Sequence, residues 1–320
     1  MKRVYMSKIL TAETWEKLRA SHAKTVALQF PEGLKRRAPE TAAALKEAGY
    51  SVIISGDPCY GACDLATDAL ALADLLIHFG HAPVDDRPNV IYELVTFDFD
   101  PEIAEKAISF LDQGKPVGLV TTVQHAHLID AVASVLEAHG FTVVVGDGNA
   151  RTPCRGQVLG CSYASARTAG TSQYLYVGTG VFHAIGVGLA TKARVVALDP
   201  YTGQAEETDA SLLLRRRFVQ IEKARKAKTV GIILSTKTGQ QREGLARHLA
   251  SLTPVADIIC MQEVSPDSLL NLGYDCYVNT ACPRLAYDDQ VRFPVPVLSP
   301  PEYEIVRGIR DWDDYIIDEI

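Results

Sequence analysis

The sequence predicts an α/β protein built from three similar small parallel-sheet domains arranged with pseudo-threefold symmetry, and three observations lead there. A β-branched run, a polar loop, an amphipathic helix and a second β-branched run recur at intervals of roughly 100 residues, the pattern of strand-helix-strand units. The runs are almost continuously apolar rather than alternating, as strands covered on both faces of a parallel sheet require. A chain of 320 residues with 47% hydrophobic and 22% charged side chains can also bury enough surface for two or three domains.

In the first unit Thr25-Val26-Ala27-Leu28-Gln29-Phe30 leads through Pro31-Glu32-Gly33 into a helix ending near Ala48-Gly49, followed by Ser51-Val52-Ile53-Ile54. The second runs from Val117-Gly118-Leu119-Val120 through Thr121-Thr122-Val123-Gln124 and a helix to Thr142-Val143-Val144-Val145. The third runs from Thr229 to Leu234, through Ser235-Thr236-Lys237-Thr238-Gly239-Gln240 and a helix, to Ala256-Asp257-Ile258-Ile259. Later runs at Ala73–His78, Tyr174–Val177 and Cys276–Asn279 extend each unit by a strand. Linkers near 90–110 and 200–228 divide the chain into domains at 1–95, 96–205 and 206–320. Thr168–Thr191 lacks Asp, Glu, Lys and Arg but holds five glycines with Ser, Thr, Gln and His, which is too polar for a membrane span, so a buried strand, turn and helix are expected.

With 32 Lys and Arg against 39 Asp and Glu, the net charge of -7 provides no global positive field for nucleic acid or anionic lipid. The N-terminal MKRVYMSKILTAETWEK is basic without an apolar stretch, so a cytoplasmic protein that uses no membrane is expected. Arg215-Arg216-Arg217, Lys223, Arg225, Lys226 and Lys228 form a basic run that reads as a solvated helix joining two domains, with a polyanion site as the alternative.

Seven cysteines, an odd number in a chain without a secretory signal, argue against a disulfide framework. Metal ligation, redox chemistry and core packing remain. Parallel sheets bind ligands beyond the carboxyl ends of their strands, and Cys59, Cys161 and Cys282 each fall in such a loop, one per repeat. Around a threefold axis the three thiolates can face one point and hold three irons of a cubane, leaving the fourth open. Spacing alone equally allows ordinary reduced cysteines. Cys260 and Cys276 read as core residues, Cys63 as a reserve ligand one helical turn from Cys59, and Cys154 as a rival to Cys161. The strand, glycine turn and helix around Val177-Gly178-Thr179-Gly180 lacks a dinucleotide fingerprint, and no Walker A motif is present. Asp57, His125, His127 and His183 are the remaining acid-base candidates, each more simply a structural residue.

Gly-Asp-Pro-Cys-Tyr-Gly-Ala-Cys-Asp at 56–64, Gly-Gln-Val-Leu-Gly-Cys at 156–161 and Asn-Thr-Ala-Cys-Pro-Arg at 279–284 together resemble the archaeal diphthamide-synthesis enzymes, the 2-(3-amino-3-carboxypropyl)histidine synthases. The resemblance spans essentially the whole chain and includes the Ser-Thr-Lys-x-Gly-Gln element at 235–240. It implies a central [4Fe-4S] cluster held by Cys59, Cys161 and Cys282, without the Cys-x3-Cys-x2-Cys loop of ordinary radical enzymes. It also implies S-adenosylmethionine as co-substrate, whose 3-amino-3-carboxypropyl group is released as a radical and added to C2 of a histidine imidazole in elongation factor 2. A homodimer and an external electron donor follow from the same likeness. Ser235, Lys237, Gln240 and Arg284 are then expected to hold the methionine carboxylate, with Gln124 and His183 lining the cavity. The alternatives are a quinolinate synthase-like [4Fe-4S] enzyme and a non-catalytic metal-binding α/β protein.

Overall fold

The computed structural model describes residues 10–84 and 86–320, so the first nine residues of the basic N-terminal stretch lie outside the described residues. Three separate sheets account for the strands. The first contains β1 (Thr25–Gln29), β2 (Ser51–Ile54), β3 (Leu75–Phe79) and β4 (Val90–Glu93). The second contains β5 (Val117–Thr121), β6 (Val143–Val144), β7 (Gln173–Val177), β8 (Arg194–Leu198) and β9 (Ala205–Glu207). The third contains β10 (Val230–Ser235), β11 (Ala256–Met261), β12 (Cys276–Asn279) and β13 (Val297–Leu298).

The orders are β2-β1-β3-β4, β6-β5-β7-β8-β9 and β11-β10-β12-β13, so one arrangement recurs three times. All pairings are parallel except the antiparallel addition of β9 to β8. In each sheet the first strand lies between its two successors, which makes its carboxyl end a switch point where adjacent loops diverge and leave a crevice.

Side-chain choice explains the likeness locally. In the second and third sheets a glycine on the central strand makes room for a tyrosine on the next: a Cβ at Gly118 would lie 2.4 Å from the Tyr174 ring, and one at Gly231 2.6 Å from the Tyr277 ring. The Tyr174 hydroxyl donates to the Ala166 carbonyl (2.6 Å) and that of Tyr277 to Leu269 (2.5 Å), so each ring is pinned at its polar end. The first and third sheets share a different device. Asp74 accepts from the amides of Lys24 and Thr25, and Asp275 from those of Lys228 and Thr229, which anchors the start of β1 and β10. Helices close the layers: in Ile129–Ala138 the buried Ile129, Val132, Ala133 and Leu136 fall at helical spacing and pack on Val117 and Leu119. Thr168–Thr191 contains β7 and the helix Phe182–Thr191, as its composition suggests, and among the described residues no helix is long and apolar enough to cross a membrane.

Three expectations need correction. The proposed division at 205/206 passes through β9, which pairs with β8 and belongs to the second sheet. Cys260 is exposed rather than core, because β11 is an edge strand with one face open to solvent. The basic run is not uniformly solvated. Arg215, Arg216, Lys223, Arg225, Lys226 and Lys228 are exposed, but Arg217 shares the inward stripe of the helix Ser211–Ala224 with Ile221 and Ala224 and is 1% exposed.

Its guanidinium makes a two-pronged pair with Glu302 at 2.6 and 2.7 Å and donates to the carbonyls of Ala286 and Val297. Glu302 also accepts from the Tyr315 hydroxyl and the Ser299 amide, so both charged groups of this buried knot are multiply hydrogen-bonded. Removing one member leaves an uncompensated buried charge, which costs about 3–5 kcal/mol, whereas replacing both by apolar groups avoids that penalty. Arg217→Ala should therefore lower the urea midpoint by a corresponding amount, and Arg217→Met/Glu302→Leu should recover most of it. Equal midpoints for wild type and Arg217→Ala in equilibrium denaturation would show that the pair contributes nothing.

Candidate metal centre

The loops at the three switch points carry most of the chemically distinctive residues. Gly56–Ala66 follows β2, with Cys59 and Cys63; Arg151–Cys161 follows β6; Thr280–Arg284 follows β12 and contains Cys282. The segment from Cys59 to Leu65 is irregular, not helical, so the expected placement of Cys59 and Cys63 on one helical face does not occur. The two cysteines have different surroundings.

Cys63 meets the third domain. Gln240 Nε2 lies 3.1 Å from its sulfur, and a Cβ at Gly239 would sit 2.5 Å from the Cys63 Cβ, so only glycine permits this approach. Arg151 of the second domain donates to the Gly239 carbonyl, closing the contact among all three loops. On the other side a Cβ at Gly160, the neighbour of Cys161, would lie 2.7 Å from the Phe182 ring and 3.4 Å from the Arg284 side chain, which places the loops bearing Cys161 and Cys282 against each other. The Cys161 carbonyl accepts from the Ile320 amide (2.9 Å), and the Cys282 carbonyl from Asn279 Nδ2 (2.7 Å).

Cys63, Cys161 and Cys282 are all half-buried, and their electrostatics show that they share one region. Burial pushes the Cys282 thiol up to about 12, and the neighbouring Cys63 and Cys161 add to the shift. Burial pushes Cys161 to about 11, against the guanidinium of Arg151, and Cys63 raises it further. Cys63 is raised by burial and eased by the Gln240 hydrogen bond. Cys59 is buried and pushed up to about 12 by desolvation and then by Asp64, and its sulfur belongs to a group with His78 and His81. The structure thus brings together Cys63, Cys161 and Cys282, whereas Cys59, raised in part by Cys63, lies beside His78 and His81.

The expected carboxylate anchors are partly committed elsewhere. Lys237 is buried, 3.0 Å from Asp64, paired also with Glu263, and over the Tyr60 ring. Two carboxylates already neutralise its ammonium, so it fastens the Cys63-Asp64 loop instead of offering a free cation. Ser235 accepts from the Lys237 amide (3.1 Å) and shapes the same turn. Gln240 is buried against Cys63, and Gln124 donates to the Gly80 carbonyl (3.1 Å), tying the second domain to the first. Arg284 lies on the rim, paired with Asp288 and 5.0 Å from the Phe182 ring. His183 is stacked against Tyr176, and burial lowers it to about 4, so it is neutral at pH 7. Asp57 is exposed, His125 is buried against Phe97, and His127 pairs with Asp98 at the surface.

Sequence reasoning missed Arg151, Asp64 and Arg242. Arg151 approaches Cys161 and Cys63; Arg242 pairs with Asp318 at 2.7 Å and donates to the carbonyl of Thr280, beside the Cys282 loop. The only signal for Asp64 was its adjacency to Cys63. Cys154 is held by Gln157 on its own loop, and Cys276 is buried as expected.

Thiol reactivity tests this electrostatic arrangement. A thiol at about 11 or 12 is only ~0.1% thiolate or less at pH 8. In metal-free folded protein, iodoacetamide should therefore modify exposed Cys260 well before Cys161 and Cys282. Peptide mass spectrometry showing Cys282 modified as fast as Cys260 would contradict the burial described.

Comparison with known proteins agrees with this architecture. Residues 30–317 match the family model described as "Putative diphthamide synthesis protein". The 2-(3-amino-3-carboxypropyl)histidine synthase of Pyrococcus horikoshii is 35% identical over 98% of this chain and 94% of its own length. The synthase of Methanocaldococcus jannaschii is 26% identical over 95% and 90% of the two chains. The crystal structure of Dph2 from Pyrococcus horikoshii with a 4Fe-4S cluster matches with a TM-score of 0.91 at 35% identity, covering 97% of this chain and 93% of that one. These matches decide against the quinolinate synthase-like reading. Because they include all three sheets and the loops that carry the three half-buried thiols, the chain belongs to the diphthamide synthesis protein family.

Proposed function

We propose that the chain is a 2-(3-amino-3-carboxypropyl)histidine synthase whose [4Fe-4S] cluster is held by Cys63, Cys161 and Cys282, with Cys63 in place of the expected Cys59. One observation carries the assignment: each of three similarly ordered sheets sends one half-buried thiol to the same contact region. Three thiolates suit a cluster with one iron left for a non-protein ligand, and the pseudo-threefold placement of the repeats around it follows from the same convergence. The bound cluster supplies the electron and the Lewis-acid site for cleavage of the sulfur–γ-carbon bond of S-adenosylmethionine.

The net reaction moves the 3-amino-3-carboxypropyl group to C2 of a histidine imidazole in elongation factor 2, releases 5'-methylthioadenosine and a proton, and begins diphthamide formation. Within that scheme the protein's residues bind and orient. Gln240 donates to the Cys63 sulfur and spreads its negative charge. Lys237 keeps the Cys63 loop in place through Asp64, and Ser235 holds the Lys237 turn. Arg151, close to both Cys161 and Cys63, is the cation best placed for the methionine carboxylate, with Arg284 at the rim. Neutral His183 and Gln124 line the approach without adding charge. The factor's histidine has to arrive on an exposed loop, since only a narrow segment can enter between three domains. A homodimer, an external electron donor and a cytoplasmic location complete the proposal.

The test is anaerobic reconstitution, reduction, and incubation with S-adenosylmethionine and elongation factor 2, followed by mass analysis of the histidine peptide and the nucleoside. Cys63→Ala, Cys161→Ala and Cys282→Ala should each reduce iron loading and abolish transfer, while Cys59→Ala keeps its iron. Iron loss in Cys59→Ala with full loading in Cys63→Ala would return the ligand role to Cys59. A loaded cluster with neither product would reject the activity.

A further inference from the structure

We propose that Cys59, His78 and His81 form a second metal site, separate from the three-thiol centre, that takes a zinc-type divalent cation. The Cys59 sulfur and one ring nitrogen from each histidine lie within 4.8 Å of one another. Cys59 and His78 are buried, and the imidazoles of His78 and His81 bond to each other and to Gln29.

The donor atoms are oriented by the fold. Gln29 on β1 and His78 on β3 are register partners, so their side chains stand on the same face. The Gln29 amide is fixed at both ends: its Nε2 donates to the Asp64 carbonyl (2.5 Å) and its Oε1 accepts from the Ala66 amide (3.0 Å). His78 Nδ1 lies 2.8 Å from that same Oε1 and must therefore carry the proton, which leaves His78 Nε2 with a bare lone pair. This is the outer-sphere arrangement that fixes the tautomer of a metal-binding histidine. Gly80, with φ of 81°, turns the chain beyond β3 so that His81 folds back and brings its Nδ1 to 2.9 Å from His78 Nε2.

Two imidazole nitrogens and one sulfur are a borderline-soft set that suits Zn2+ at bond lengths of about 2.0–2.1 Å to nitrogen and about 2.3 Å to sulfur. Tetrahedral geometry then requires about 3.3 Å between the nitrogens, so His81 has to move outward by a few tenths of an ångström from its present 2.9 Å. A cation would displace the Cys59 proton, and a water or a substrate group would take the fourth position. Because Cys59 and Cys63 are separated by three residues, a cation there would also brace the loop that presents Cys63.

The experiment measures zinc and iron together on the full-length reconstituted protein, after incubation with Zn2+ and desalting, by plasma mass spectrometry. The expected result is about one tightly held zinc per chain in addition to iron, falling at least tenfold in Cys59→Ser and in His81→Gln while iron content and circular dichroism are unchanged. Cobalt titration of Cys63→Ser/Cys161→Ser/Cys282→Ser, which lacks the three converging thiols, should still give a thiolate-to-cobalt charge-transfer band, lost on adding Cys59→Ser. This arm is read without any cluster, so a failure of the iron assignment leaves it intact. Zinc no higher in wild type than in Cys59→Ser, or retained in both single variants, would overturn the site and leave a His78–His81 hydrogen bond beside a buried thiol.

Discussion

The contact between Gly239 and Cys63 is the constraint on which the site depends. The first domain has a core of its own, whereas Tyr287 and Ile317 of the third domain pack into the core of the second, so no shared core brings the first-domain loop to the others. The missing side chain at 239 lets the turn after β10 lie against the Cys63 backbone, where a Cβ would be 2.7 Å from the Cys63 Cα. That approach puts Gln240 on the sulfur and allows Arg151 to reach the Gly239 carbonyl from the second domain. A larger residue would separate the first-domain thiol from the other two before affecting any core.

The charge arrangement follows from that contact. Bringing together three thiols in a partly desolvated space raises all three toward the neutral form, as the shifts of Cys161 and Cys282 show. A thiol centre placed there resists ionisation until a cation or metal offsets the cost, which matches a site meant to be filled. Arg151 and Arg242 oppose the effect at Cys161, whereas Lys237 is neutralised by Asp64 and Glu263. Positive charge is therefore available on the second-domain side and saturated on the side of Tyr60. On the proposed reading, the carboxylates that make Lys237 a structural residue would steer an incoming carboxylate toward Arg151.

Much of the fold was legible because its signals are local. Continuous β-branched runs, helix spacing and glycine stops reveal strand-helix-strand units wherever both faces are covered, and β1, β5 and β10 appeared where those patterns put them. The inward direction of Arg217 was not legible, since it depends on Glu302, 85 residues away. Cys260 shows the reverse: an apolar run predicts a strand but does not reveal that the strand lies at an edge. In the site, two of the three converging thiols were recognised from their positions beyond strands. The choice between Cys59 and Cys63 was not, because it turns on an irregular loop held by Gln29 and Lys237, neither of which is adjacent in sequence.

That loop shows how three intervening residues can separate two chemical roles. A helix from 59 to 63 would place both sulfurs on one face and make them rivals for one ligand position. Irregular backbone removes the rivalry. Gln29 holds the Asp64 carbonyl from beneath while Lys237 holds the Asp64 carboxylate from the third domain, so the chain between them turns Cys59 inward to the β1–β3 switch point and Cys63 outward to the domain contact. The first domain thus holds Cys59, His78 and His81 close together at the end of its own sheet and, in the proposed assignment, contributes Cys63 to the shared centre. The shared site is sensitive to how the domains meet, while the inner set depends on one domain alone.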